Sequence, residues 1–136
     1  MNDLMNKCRF RIFSKIARLV PNKYATNIFK LANIKIGENC LISKDTFFHN
    51  NRVTFGNNCY VNKHCKFYTG MNSNGYVVVG DNVNIGMNVS FICTTHDIGI
   101  TVRAGRDKSK PIIVGDNCWI GGGQLFFQAY PLVRGA

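Results

Sequence analysis

The side chains with most chemical capacity in this chain are few: three histidines, His49, His64 and His96, and six cysteines at positions 8, 40, 59, 65, 93 and 118. A neutral imidazole is the group best matched to moving a proton near pH 7, so a well-placed histidine is a candidate general base. An isolated histidine more often makes a structural hydrogen bond. The three histidines show no ligand spacing with each other or with the cysteines, and no metal centre is expected. No Gly-x-Ser-x-Gly turn and no catalytic cysteine arrangement is present, which disfavours chemistry through a covalent intermediate. The glycine run Gly121–Gly123 offers backbone N–H groups suited to a developing oxyanion. Arg103, Arg106, Lys108 and Lys110 form a basic stretch suited to phosphates or an anionic glycan, with a solvated loop as the equal alternative.

Composition narrows the partners. The chain has 136 residues, 46% of them hydrophobic, and 17 Lys and Arg against 7 Asp and Glu for a formal charge of +10. Such an excess favours nucleic acid, anionic lipid or a phosphorylated cofactor. The basic residues concentrate between Lys7 and Lys35 and between Arg103 and Lys110. Nucleic-acid binding calls for aromatics interleaved with the cations; the second stretch has none, and no nucleic-acid partner is expected. The cysteines lack CxxC spacing in a chain too large to need a disulfide framework, which reads as a reduced, cytoplasmic protein. The first 20 residues break every apolar run with Lys7, Arg9, Arg11, Lys15 or Arg18, so neither a signal peptide nor a membrane span is expected there.

The elements that would position these groups change character near residue 34. From Phe10 to Val20 apolar residues follow helical spacing up to Pro21, and Tyr24 to Ala32 reads as a second short helix. Residues 1–33 are thus a basic amphipathic segment, suited either to packing across the end of a domain or to peripheral contact with an anionic membrane, at its inner face, through residues 7–20. Beyond Ile34 the period is six. Leading residues stand at Ile36 and Ile42, at Phe55, Val61 and Phe67, at Val79, Ile85 and Phe91, and at Val114 and Ile120. Four positions after a leading residue comes a small apolar one: Cys40, Cys59, Cys65, Val83, Val89 or Cys118. Free thiols at such positions serve as small core fillers. Fixed short repeats identify a solenoid, with three six-residue strands per triangular coil. Gly37, Gly56, Gly80, Gly86, Gly115 and Gly121, most with an Asn or Asp one or two places on, suit the corners, where positive φ is tolerated. An ordinary β-sandwich with hairpin turns would show variable spacing.

The segment VVVGDNVNIGMNVSFICTTHDIG, a basic loop to Lys110, and then PIIVGDNCWIGGG resemble the hexapeptide-repeat acyltransferases, in particular the branch of maltose and galactoside O-acetyltransferases and the O-acetyltransferases of bacterial surface polysaccharides. The resemblance runs from about Ile34 to Gly123. It implies an all-β solenoid, a left-handed parallel β-helix over residues 34–123 with a protruding loop at 97–110, preceded by the short helical segment. It further implies a homotrimer with acetyl-CoA and acceptor sites between subunits, and places His96 at the general-base position. Asn62 falls where these enzymes often set a polar group toward the acceptor, with a plain turn role as the alternative. Arg103 becomes a candidate substrate contact. Trp119, Gly121 and Gly122 become candidates for the cofactor channel, with packing against a neighbouring subunit the other reading of Trp119.

After Gly123 the six-residue order lapses, and residues 124–136 read as an aberrant tail of a C-terminally truncated member of the family. One permitted set of codons for Gln124 to Gly135, shifted by one nucleotide, translates as Ala-Thr-Ile-Phe-Pro-Gly-Val-Ser-Ile-Gly-Glu, the continuation such a ladder would have; a frameshift near the Gly123 codon is therefore expected. The functional expectation is acetyl-CoA-dependent O-acetylation of a sugar hydroxyl during surface polysaccharide (O-antigen or capsule) synthesis. The alternative is a catalytically silent β-helical fragment or assembly module.

Overall fold

The computed structural model describes residues 2–98, 101 and 104–128. Helix α1 (Asp3–Ala17) starts at Asn2, whose side chain accepts from the Met5 amide at 2.8 Å, a cap that the apolar pattern did not mark. Helix α2 (Asn22–Leu31) follows directly after Pro21. The chain then winds through coils of three short strands. The first coil is β1 (Lys35–Ile36), β2 (Leu41–Ile42) and β3 (Phe47–Phe48). The second is β4 (Val53–Phe55), β5 (Tyr60–Val61) and β6 (Lys66–Tyr68), and the third β7 (Val77–Val79), β8 (Asn84–Ile85) and β9 (Ser90–Ile92). An excursion, β10 (Thr94–Ile98) and β11 (Ala104–Ser109), interrupts the order before a fourth coil of β12 (Ile112–Val114), β13 (Trp119–Ile120) and β14 (Leu125–Phe127). Corresponding strands stack in parallel register into three four-stranded faces, β1-β4-β7-β12, β2-β5-β8-β13 and β3-β6-β9-β14.

Each predicted leading residue from Ile42 on is buried, and one column runs through the third face. Phe48, Phe67, Phe91 and Phe126 stack with centroids 5.2, 4.8 and 5.4 Å apart. Stacked strands place identical side chains at the strand spacing, and offset aromatic rings fill that spacing well. Cys59, Cys65, Cys93 and Cys118 are buried with free thiols, Cys40 is half-buried and Cys8 exposed. The Sγ of Cys40, Cys59 and Cys65 donate to the carbonyls of Gly56, Gly80 and Gly86 at 3.1, 3.1 and 3.0 Å. Burial pushes the Cys59 thiol up to about 11.

The corners divide the roles of glycine and asparagine. The left-handed residue is the second after the glycine, with φ of 58° at Asn39 and 57° at Asn58, Asn82 and Asn88. Asparagine tolerates this region through local polar contacts. The glycine is required for space instead: a Cβ on Gly56 would lie 2.7 Å from the Gly80 carbonyl carbon. The asparagines pair in turn, Asn39 Nδ2 to Asn58 Oδ1 at 2.8 Å, Asn58 to Asn82 at 3.1 Å and Asn82 to Asn117 at 3.1 Å.

Helix α2 lies across the first coil. Phe29 meets Phe48 edge-on at 5.0 Å, and Ala25 and Phe29 join the core. The amides of Ile42 and Lys44 donate to Thr26 Oγ1 and Asn22 Oδ1, both at 2.9 Å. Packing across the domain end is thus the role of α2, with α1 stacked on it through Phe10 and a 2.7 Å bond from Arg9 Nε to the Leu31 carbonyl. The strand ladder also runs past Gly123: β14 pairs with β9 and Phe126 completes the aromatic column, since an apolar residue at the inward position is enough to extend it without a Gly-Asx corner. The segment expected as a loop at 97–110 is an antiparallel hairpin from Thr94 to Ser109. Residues 129–136 lie outside the described residues.

Candidate active site

The hairpin β10–β11 leaves the solenoid where the third face turns back toward the first. An insertion within the connection 69–76 supports it from the coil below. The Arg52 guanidinium holds this insertion by donating to the carbonyls of Gly75 at 2.8 Å and Asn72 at 2.9 Å, and to that of Gly70. Gly70 has φ of 75°, and a Cβ there would meet the Thr94 methyl at 2.1 Å, so the base of the hairpin rests on a residue without a side chain. Cys93, immediately before β10, is buried; it donates its amide to the Tyr68 carbonyl and accepts from the Lys110 amide, tying both hairpin strands to the coil.

His96 stands in the middle of β10, opposite Asp107 of β11. Its Nδ1 lies 2.8 Å from Asp107 Oδ1 and 3.3 Å from the Gly105 carbonyl oxygen. Two acceptors at Nδ1 hold the tautomer with hydrogen on that nitrogen and leave Nε2 as the lone-pair site, the arrangement of an oriented general base. The His96 side chain is 55% exposed. Asp107 was not singled out in the sequence because the surrounding stretch was read for its cations. A cross-strand pairing of His96 with Asp107 is the signal that would have found it.

The other candidates gather elsewhere. Trp119 lies outward on the second face, in register through Asn84 with Tyr60 and Leu41, and is 71% exposed. Gly121 and Gly122 follow it at the corner between the second and third faces, stacked over Gly86. Asn62 lies at the same corner two coils down; it donates its amide to the Ile85 carbonyl, and its side chain accepts from the Lys63 amide at 2.8 Å. Asn62 also lines a shallow depression with Asn22 and Tyr60. Asn62, Trp119, Gly121 and Gly122 therefore share one edge of the prism, and His96 projects from another. Of the glycine run, Gly123 already donates its amide to the Met87 carbonyl at 2.8 Å. Arg103 lies outside the described residues.

The remaining histidines have local roles. His64 is a corner residue with φ of 63°; its amide donates to Asp45 Oδ1 at 3.1 Å and its Nδ1 lies 3.3 Å from Asp45 Oδ2. His49 contacts the neighbouring Asn50 side chain.

No family model matches the chain. Galactoside O-acetyltransferase of Escherichia coli (strain K12) is 32% identical over 91 residues, covering 63% of this chain and 41% of that protein. Sophorolipid acetyltransferase of Starmerella bombicola is 39% identical over 73 residues, 50% of this chain and 27% of that one. The chain spans less than half the length of these relatives. Among solved structures, AntD, an N-acyltransferase from Bacillus cereus in complex with dTDP and coenzyme A, aligns at a TM-score of 0.50 and 20% identity over 74% of this chain and 67% of that one. The fold is that of a left-handed parallel β-helix.

Proposed function

We propose that this chain, similar in sequence to acetyltransferases and in fold to an acyltransferase, takes part in acetyl transfer from acetyl-CoA to a hydroxyl of a sugar acceptor, in the modification of a surface polysaccharide. The observation that carries the reading is the His96–Asp107 pair on the hairpin β10–β11. Transfer to a hydroxyl requires that its proton be removed as the oxygen attacks. His96 Nε2 takes that proton and passes it to the CoA thiolate that leaves, while Asp107, accepting from Nδ1–H, keeps the ring oriented. Acetyl-CoA supplies the acyl group when bound. The exposed indole of Trp119 and the open corner at Gly121, where a Cβ would touch nothing within 4 Å, suit the pantetheine arm of such a donor. The amides of Gly121 and Gly122 suit the oxygen that becomes negative during transfer. Asn62, on the same edge, presents an amide to the acceptor.

Because His96 and the Asn62–Trp119 edge lie apart on the prism, one copy holds only part of the site. A homotrimer, with His96 of one copy facing the Asn62 edge of the next, brings them together. The test is CoA release from acetyl-CoA with galactosides and polysaccharide fragments as acceptors, with light scattering in parallel. Turnover that survives His96→Ala, or a monomer that turns over at full rate, removes the reading.

A further inference from the structure

The α1 helix presents two dissimilar faces. Phe10 and Ala17 turn inward with Ile16, while Leu4, Met5, Ile12 and Leu19 at and just beyond the helix are exposed, Leu4 by 68% and Leu19 by 84%. Leu4, the exposed Cys8 and Ile12 are spaced by four residues and trace one outer stripe, and Leu19 is exposed just past the helix end at Ala17. Exposed Lys15 continues the stripe one turn past Ile12, exposed Arg11 and Arg18 lie beside it, and Asp3, in the first turn, is taken up by Lys7 at 2.6 Å. Leucines and isoleucine standing in water cost free energy that packing on α2 leaves unrelieved, because α2 already contacts the opposite side.

We infer that this outer face of α1 is a docking surface for an anionic lipid bilayer, on which the protein lies with its helical end against the headgroups. The apolar stripe enters the boundary between headgroups and acyl chains, and the flanking cations meet the lipid phosphates. The charge pattern selects this occupant. A second copy of the same face would bring like charges together around the stripe, and a nucleic-acid backbone would leave the leucines in contact with phosphate. Among the described residues no helix is long and apolar enough to cross a membrane, so contact is along the surface. The inference is independent of the chemistry at His96.

The test is sedimentation of the full chain with vesicles of phosphatidylcholine alone and of phosphatidylcholine mixed with phosphatidylglycerol. Binding to the mixed vesicles, weakened by salt and absent on the neutral ones, is expected. The double variant Arg11→Gln, Lys15→Gln is expected to bind about thirtyfold more weakly, and Leu19→Gln about tenfold, with circular dichroism unchanged. Equal binding to neutral vesicles, or none to either, overturns the inference. So does a loss of oligomeric mass in Leu19→Gln, which gives the face to a second copy, or preferential binding of a duplex oligonucleotide.

Discussion

Phe67 and His96 show how differently two regions of this molecule hold their residues. Phe67 lies between Phe48 and Phe91, with ring centroids at 5.2 and 4.8 Å, and each neighbour repeats its surroundings. His96 is gripped on one nitrogen by a hairpin that occurs once, and over half of its side chain is open. In the coils, each position is specified by the copies above and below it. On the hairpin nothing is repeated, and the geometry rests on two strands and the Gly70 and Arg52 contacts beneath them. On the proposed reading stability and chemistry fall to different parts of the chain, and substitutions in one should leave the other nearly untouched.

The sharpest way to break this contrast is His96→Ala. Loss of a positioned base is expected to lower the acetyl-transfer rate by about 10²- to 10⁴-fold, with no change in the thermal unfolding midpoint, because the removed ring is exposed. A melting temperature that falls along with the rate would mean that the hairpin is part of the scaffold. Phe67→Ala is the mirror experiment. Taking a ring out of the column should cost about 3–5 kcal/mol in denaturant unfolding, and any activity that remains should show the unaltered dependence on His96.

Asn58→Ala probes the corner ladder, where a left-handed residue without asparagine's polar side chain is disfavoured by about 1–2 kcal/mol. Asn58→Gly separates the two contributions: it relieves the backbone but still loses the bonds to Asn39 and Asn82, so its unfolding free energy should fall between those of the parent and the alanine variant. Asp107→Asn is expected to have the smallest effect. A carboxylate this exposed contributes about 0.2–1 kcal/mol to a pair, so the acetyl-transfer rate should drop by up to about fivefold. A loss as large as that of His96→Ala would show that a neighbouring copy buries the pair.

The same contrast explains what the sequence made readable. A period of six with apolar residues at its head is a local and repeated signal, and from it the coils, most of the buried thiols and the inward Phe67 and Phe91 follow almost directly. The corner chemistry was half legible: the glycine and asparagine were visible, but which of them needs a left-handed backbone and which needs emptiness depends on the next coil, 19 to 35 residues away. His96 stood out by its place at the end of a coil. Asp107 did not, since its partnership is made across a hairpin whose pairing has no counterpart elsewhere in the chain. The contacts of α2 were hidden for the same reason, because Thr26 and Asn22 meet amides 16 and 22 residues further on.

Those two contacts bear on self-association. A stack of parallel strands ends in a row of amides that can template another chain, and repeated coils of identical pitch make a ready partner for their own copies. Thr26 and Asn22 fill the donors at Ile42 and Lys44 with side-chain oxygens, and Phe29 seals the aromatic column beside them. A strand arriving at this end finds neither a free amide there nor an open ring to stack on. The helix thus acts as a chain terminator against head-to-tail fibre growth along the second face, with two short polar side chains in place of a strand.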